Sequence, residues 1–124
     1  MFADSAENVF VRMETTVNGR MVIRSGALEI RPQEFVALAG GHPVALTRRE
    51  LDLLTALAER EGRIVSRGEL YSVVWGEPFR KTDRSVDVYV ARLRSKLERE
   101  IPGQSFIHTH FGFGYRFSPE ASRR

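Results

Sequence analysis

The order of nonpolar and polar positions divides the chain into three parts. Short stretches in which the two kinds of residue alternate occupy residues 9–46 and are separated by turn dipeptides such as Asn18-Gly19. Alternation with a period of two is typical of half-buried strands, and Asn-Gly favours a two-residue hairpin turn because both residues tolerate positive φ. We therefore predict an antiparallel meander in the first part, helices in the middle and a short strand-rich end.

Two helices in the middle of the chain begin with the pattern of a capping box. Thr47 stands three residues before Glu50 in the first helix, and Ser66 stands three residues before Glu69 in the second. In such a box the hydroxyl accepts from the amide three residues on, while the glutamate reaches back to the first amide. Nonpolar residues flank both boxes at the positions of a hydrophobic staple, namely Leu46 with Leu51 and Val65 with Leu70. The second helix is predicted to end near Gly76, since glycine favours helix C-termini.

A third helix, predicted over residues 84–99, has two different faces. Its nonpolar residues recur at the spacing of one buried stripe, and they are Val86, Val90, Leu93 and Leu97. The opposite face consists of Arg84, Ser85, Val88, Ala91, Arg92, Ser95 and Arg99. Small residues allow close approach to base edges, and arginine can donate two hydrogen bonds to guanine or bind phosphate. This face therefore favours nucleic acid over plain solvent as its partner.

The positive charge of the chain is concentrated in the same segment. The net charge of all 124 residues is +3. Residues 80–99 hold seven basic and three acidic residues, so the rest of the chain is slightly acidic. A surface that follows phosphates needs such clustering, although a solvated helix face would show the same pattern.

The composition also argues against several classes of protein. There is no cysteine, so neither disulfides nor thiolate metal sites can form. No nonpolar run approaches the roughly 20 residues of a membrane span, and the N-terminus lacks the pattern of a secretory signal. We find no nucleophile elbow, phosphate-binding glycine loop or clustered carboxylates with metal spacing. We therefore expect a soluble cytoplasmic protein that is not an enzyme, needs no cofactor and has no membrane partner.

The C-terminal stretch, residues 106–117, reads FIHTHFGFGYRF and predicts a hairpin. His108 and His110 project to the same side of one strand, but a metal site would need further ligands, so no metal is expected. A pH-sensitive or phosphate-binding His110 is left open. Three helices followed by a hairpin define the predicted fold class: an α+β winged helix-turn-helix with an N-terminal antiparallel sheet, three helices and a C-terminal β-hairpin wing.

The chain resembles the DNA-binding domains of OmpR/PhoB-type response regulators. The matching segments are ALEIRP, PVALTRRELDLLTALAEREGRIVSRGELYSVVWG, DRSVDVYVARLRSKLE and IHTHFGFGYRF. The resemblance covers residues 21–118 and implies a four-stranded N-terminal sheet, three helices and a wing. It also implies sequence-specific binding of promoter DNA and a role in bacterial transcription regulation.

The resemblance implies roles for individual residues around a recognition helix at 84–99. Those that would face bases or the adjacent backbone are Ser85, Val88, Tyr89 and Arg92. Those that would bind phosphates are Arg67, Arg84, Arg94 and Lys96, with Arg94 bonding partly within the protein. Thr109 and Tyr115 would contact the DNA backbone from the wing. Trp75 would either pack in the core or offer its indole N–H to phosphate.

Two departures from the family pattern limit this transfer. The family's wing arginine is replaced by Phe111, which either stacks on sugar or base edges or rests on the protein itself; we favour the second. Residues 1–20 are too short for a receiver domain, so we expect a linker or an additional strand there and claim no phosphorylation switch. Residues 119–124 are expected to form a C-terminal tail.

A second function stays open beside DNA binding. A winged helix can also serve as a protein-interaction module that docks on RNA polymerase or another regulator. The loop at residues 77–82 corresponds to the segment with which some relatives touch polymerase, and a sigma factor is a further candidate. A homodimer on tandem sites is also expected, because one small basic surface would bind DNA weakly alone.

Overall fold

The structure is a computed structural model that describes residues 13–17 and 19–122. Over these residues the chain forms two sheets and three α-helices. The first sheet holds β1 (Met13–Val17), β2 (Arg20–Ser25), β3 (Leu28–Arg31), β4 (Val36–Ala39) and β5 (His42–Pro43), with a 3-10 helix at Pro32–Glu34 between β3 and β4. The helices are α1 (Arg48–Ala58), α2 (Arg67–Trp75) and α3 (Ser85–Glu100). The second sheet holds β6 (Ile64–Val65), β7 (Gln104–His110) and β8 (Gly114–Ala121).

From residue 13 onwards the N-terminal sheet confirms the predicted antiparallel meander, since its strands pair in chain order from β1 to β5. The start of the predicted meander, residues 9–12, lies outside the described residues. Val17 lies opposite Arg20, so the chain reverses direction between these two residues, where the sequence predicts a turn. Gly19 has a φ of +78°, while Asn18 lies outside the described residues. Strand β1 is the additional strand left open by the sequence, and it extends the four-stranded sheet of the resemblance to five strands in the described part of the chain.

Helix α1 forms the centre of the core and packs against α2, α3 and β8. Its buried nonpolar residues are Leu51, Leu53, Leu54, Ala56, Leu57 and Ala58. The capping box at its start is complete. The Glu50 amide donates to Thr47 Oγ1 over 3.2 Å, and the Thr47 amide donates to Glu50 Oε1 over 2.9 Å. The reciprocal bonds fix where α1 begins.

The second predicted capping box is only half formed. The Glu69 amide donates to Ser66 Oγ over 3.0 Å, as predicted. The Glu69 carboxylate instead accepts from Arg63 Nη2 over 2.8 Å and from Arg60 Nε over 3.2 Å. The prediction of a reciprocal bond was wrong because two guanidinium groups, which make stronger charge-assisted hydrogen bonds, compete with one neutral amide for the same carboxylate.

Helix α3 has the buried stripe that its sequence predicts. Val86, Val90, Leu93 and Leu97 are all buried. The helix begins at Ser85, whose amide donates over 2.8 Å to Oδ1 of Asp83, and it runs to Glu100. An acidic side chain at this end satisfies an amide that has no partner within the helix and also favours the positive end of the helix dipole.

The predicted C-terminal hairpin is present as β7 and β8, with residues 111–113 forming the turn. Strand β6 joins the other edge of β8, so the second sheet has the order β6-β8-β7. Strand β8 continues to Ala121, which brings part of the expected C-terminal tail into the sheet. Three helices followed by this hairpin confirm the predicted α+β winged-helix architecture.

Candidate nucleic-acid interface

The outer face of α3 carries the residues that the sequence predicts for it. Arg84 stands at the N-terminal cap of the helix, with 74% of its side chain exposed. Val88, Ala91, Arg92, Ser95 and Arg99 are also exposed, while Ser85 is half-buried. The centre of this face therefore combines arginine with small or short side chains and contains no acid.

The flank of α3 that faces the wing is bonded to both wing strands. The Tyr115 hydroxyl on β8 donates to Asp87 Oδ1 over 2.6 Å, and Arg94 Nη2 donates to Thr109 Oγ1 on β7 over 2.9 Å. Asp87 and Arg94 are two helical turns apart, so they lie on the same side of α3. These two bonds hold the wing at a fixed position beside the helix.

The Tyr115 hydroxyl is therefore inside the protein rather than on the outer surface. Burial, together with the hydrogen bond to Asp87, raises the pKa of Tyr115 to about 12. Its predicted contact with the DNA backbone stays a prediction. In this structure the visible role of Tyr115 is to position the wing.

Asp87 also joins the start of α2 to α3. Its carboxylate lies 3.3 Å from Arg67 Nε and 3.7 Å from Arg84 Nη1. Arg67 further donates from Nη2 to the carbonyl of Asp83 over 3.0 Å, and its guanidinium lies 5.3 Å from the centre of the Phe79 ring. Arg67, predicted to bind phosphate, is thus held by several groups of the protein.

The opposite flank of α3 contacts the first two helices. Lys96 Nζ donates to Glu50 Oε1 over 2.7 Å, and the Glu50 side chain is only 2% exposed. Burial by itself raises the pKa of Glu50, but the bonds from Lys96 and the Thr47 amide outweigh it and hold that pKa below its usual range. Lys96, another predicted phosphate ligand, therefore balances a buried charge.

An aromatic cluster completes this flank. The ring of Trp75 stacks on Tyr71 with 5.1 Å between centres and meets the edge of Tyr89 at 5.5 Å. The guanidinium of Arg49 lies over the Trp75 ring, 4.9 Å from its centre, and the guanidinium of Arg92 lies over the Tyr89 ring at 5.1 Å. Trp75 is half-buried and packs between elements, and Tyr89 supports the arginine that is predicted to read bases.

The tip of the wing differs from our expectation for Phe111. Its side chain is 88% exposed, so the prediction that it rests on the protein was wrong. Phe113, which the sequence analysis did not single out, is 74% exposed. The Phe113 amide donates to the His110 carbonyl over 2.8 Å and closes a turn too short to fold either ring back onto the protein. Both rings line a cleft of about 680 Å³ between the wing, the start of α2 and the start of α3.

The two wing histidines are bonded to their neighbours on β8. His110 Nε2 accepts from Arg116 Nε over 3.0 Å, and His108 Nε2 lies 2.8 Å from the carbonyl of Ser118. Across residues 13–17 and 19–122 there is no group of three or more histidine, aspartate or glutamate residues placed to hold a metal ion. Within the same residues, no helix is both long enough and nonpolar enough to cross a membrane.

The structure thus divides the predicted site residues into two groups. Those on the accessible surface are Arg84, Val88, Arg92, Phe111 and Thr109, which also accepts from Arg94, with Ser85 half-buried among them. Those that bond or pack between elements are Arg67, Trp75, Tyr89, Arg94, Lys96 and Tyr115. Sequence reasoning missed Asp87 as the shared partner of α2, α3 and the wing. Its only signal was an acid on the flank of a basic helix.

The sequence of the chain is similar to transcription regulators. The family described as "Transcriptional regulatory protein, C terminal" matches residues 41–117. The sensory transduction protein RegX3 of Mycolicibacterium smegmatis is 34% identical over 95 residues, which are 77% of this chain and 42% of that protein. The transcriptional regulatory protein PrrA of Mycobacterium leprae is 38% identical over 104 residues, which are 84% of this chain and 44% of that protein. The chain spans less than half the length of these relatives.

The fold is similar to solved DNA-binding domains. The DNA-binding domain of RstA from Klebsiella pneumoniae, solved in complex with the RstA box, has a TM-score of 0.72 and 36% identity, covering 80% of this chain and 98% of that one. The DNA-binding domain of CpxR from E. coli has a TM-score of 0.71 and 31% identity, covering 77% of this chain and 94% of that one.

Proposed function

The chain belongs to the family of C-terminal, OmpR/PhoB-type DNA-binding domains of transcription regulators, and from this premise we propose that it binds double-stranded promoter DNA with α3 in the major groove. The major groove, about 12 Å wide, admits an α-helix and displays a distinct pattern of donors and acceptors for each base pair. Domains of this family are transcription regulators, which is not a class of enzymes.

The outer face of α3 is the observation that carries this proposal. On the two flanks of α3, the side chains of Asp87, Arg94 and Lys96 are bonded to other elements of the protein. The central face between the flanks carries arginines and small residues. Arg92 leans on the ring of Tyr89, which limits its freedom and orients the guanidinium before any base is met. A pre-oriented guanidinium loses less entropy on binding and suits bidentate recognition of guanine.

Binding of Arg92→Ala to a duplex selected from a random pool tests the proposal. We expect the variant to lose about 1–3 kcal/mol of binding free energy and to relax base preference at one position. Arg24→Ala, which removes the same charge from strand β2 of the N-terminal sheet, is the matched control and should bind as the unmodified chain does. Unchanged affinity and preference in Arg92→Ala would show that α3 does not read bases.

We propose further that two copies of the domain bind tandem sites. One domain offers a small contact surface, whereas specific protein–DNA interfaces bury roughly 1,000–2,500 Å² of protein surface. Selection from random duplexes should then enrich a direct repeat whose half-sites are about one helical turn apart. Enrichment of a single half-site with full affinity would contradict tandem binding.

The loop at residues 77–82 supports a second role, contact with RNA polymerase or a sigma factor. Phe79 packs against Tyr71 and under Arg67, which fixes the middle of the loop. Glu77, Pro78, Arg80, Lys81 and Thr82 are exposed. An exposed charged loop on a fixed base can serve a protein partner while α3 serves DNA. Substitution of Glu77 and Arg80 by alanine should then weaken polymerase recruitment without changing DNA affinity.

A further inference from the structure

The wing tip carries an inference that rests on the proposed function and extends it. We propose that Phe111, supported by Phe113, is a nonpolar wedge that enters the DNA minor groove beside the site of α3 and opens a base step. The wing of this chain would then read the deformability of DNA instead of binding the groove through a cation.

The exposure of the two rings is the first observation. Phe111 is 88% exposed and Phe113 is 74% exposed, although they are separated only by Gly112. Two adjacent large nonpolar side chains in water are unfavourable unless a partner covers them, and such patches mark interaction sites. Gly112 has a φ of +84°, which allows a tight turn that leaves the rings at its outer end.

The surroundings of the rings identify a polyanion as the partner. The cleft that the rings line is also lined by two exposed cations, Lys81 and Arg84 at the N-terminal cap of α3. Asp87 lines it as well, but this carboxylate is paired with Arg67 over 3.3 Å, so the lining stays cationic. A ligand that fills this space must offer nonpolar surface at the rings and negative charge at the cations. A DNA strand offers both, because phosphates lie outside stacked bases and sugars.

The base of the wing is bonded to α3, and this fixes the position of the wing that carries the two rings. Bonds from Tyr115 to Asp87 and from Arg94 to Thr109 fix both wing strands to α3. A wedge held in place before binding loses little entropy when it binds. With α3 in the major groove, the proposal places the wing, which is fixed beside that helix, across the neighbouring backbone with its tip at the adjacent minor groove.

Nonpolar residues such as phenylalanine can enter the minor groove, partly unstack a base step and kink the duplex. The cost is smallest at flexible pyrimidine–purine steps such as TA or CA. The wedge would therefore select a DNA sequence through the energy needed to open a base step, without a hydrogen bond from the wing to a base. We expect a preference for a flexible step under the wing over a stiff A-tract.

The test uses the selected duplex with 2-aminopurine placed at successive positions under the wing. The unmodified chain should raise 2-aminopurine fluorescence at one step, and Phe111→Ala should abolish that rise and lower affinity about tenfold. The logarithmic dependence of affinity on salt should not change in Phe111→Ala, because no phosphate contact is lost. Phe111→Arg should make that slope steeper by about 0.9 and move the preference towards a narrow A-tract groove.

Phe35→Ala is the matched control, since Phe35 is 59% exposed and lies at the end of the 3-10 helix in the N-terminal sheet. This variant should bind and raise fluorescence as the unmodified chain does. Equal affinity and fluorescence in Phe111→Ala would overturn the wedge, even if the variant lost binding to a protein such as RNA polymerase. If Arg92→Ala still weakens binding in that case, the wedge is rejected and DNA binding by α3 is retained. If the unmodified chain binds no duplex at all, both the proposed function and the wedge are rejected.

Discussion

At the scale of single residues, Gly114 is a point at which the wing passes close against the backbone of strand β6. A Cβ atom added there would lie 2.0 Å from the carbonyl oxygen of Val65 on β6, and the residue has a φ of +141°. Only glycine meets both conditions, since the neighbouring atoms belong to backbone and cannot rotate away.

We therefore expect Gly114→Ala to lower the free energy of unfolding by at least about 2 kcal/mol, through backbone strain and loss of the β6–β8 pairing. Gly103→Ala is the control, because a Cβ there meets nothing within 4 Å and its φ is not in the left-handed region. Urea unfolding of both variants measures the difference. Equal stabilities would contradict the close approach.

The charge of Lys96 is paired with the buried carboxylate of Glu50. Replacing Lys96 with methionine leaves the buried Glu50 carboxylate without its cation, and we expect a loss of about 2 kcal/mol in unfolding free energy at pH 7. The pKa of Glu50 lies below its ordinary 4.5 in the folded protein. Its contribution to stability is therefore present at neutral pH and is lost as the pH falls through the folded-state pKa.

A protonated Glu50 needs no cation, so the difference between Lys96→Met and the unmodified chain should shrink as the pH falls from 4.5 through the lower folded-state pKa of Glu50. Urea unfolding at pH 7 and at a series of pH values below 4.5 measures this difference. Arg99→Met, on the exposed face of the same helix, controls for loss of charge and should show no such trend. A difference that stays constant with pH would rule out the ion pair as its cause.

At the scale of elements, α3 and the wing act as one unit because Asp87 and Arg94 bond to both wing strands. The buried stripe of α3 could be read from the sequence, because helical periodicity is a local property. The anchors could not, since they join residues 15 and 28 positions apart in the chain. The resemblance assigned Lys96 and Tyr115 to DNA, and pattern alone gave no sign that both side chains also bond within the protein.

We expect Tyr115→Phe to lower the free energy of unfolding by about 1 kcal/mol and to weaken DNA binding, because β8 loses its bond to α3. The pKa of Tyr115, about 12, lies above the ordinary 10.0. The stability from this phenol is thus complete below pH 10 and is lost as the pH rises through about 12. An ultraviolet titration should show a late phenolate transition that is missing from Tyr115→Phe. If the phenolate that is missing from Tyr115→Phe titrated near the ordinary 10.0 instead, the hydroxyl would not be bonded to Asp87.

At the scale of the whole molecule, the net charge of +3 says little about how the domain meets DNA. The cations divide into those bonded between elements and those on the accessible surface. The bonded ones are Arg67, Arg94 and Lys96, and the exposed ones around α3 are Lys81, Arg84, Arg92 and Arg99. The number of counterions released from DNA on binding is therefore set by the exposed cations.

We therefore expect the logarithm of affinity to fall with the logarithm of salt concentration with a slope between about −3 and −4 for each bound domain. If all seven cations bound phosphate, the slope would be near −6. Anisotropy titrations at several salt concentrations on a single half-site measure it. A slope near −6 would show that the bonded cations leave their partners when DNA binds.

By itself the sequence determined the order of strands and helices, the start of α1, the buried stripe of α3 and the family. All of these depend on residues close together in the chain, where periodicity and capping act. Only the tertiary structure decided which polar residues stay accessible and where the wing tip points. Those properties depend on contacts between residues far apart in the chain, such as Lys96 with Glu50, 46 residues away. A buried carboxylate needs a nearby cation, and only the folded chain decides which cation lies next to it.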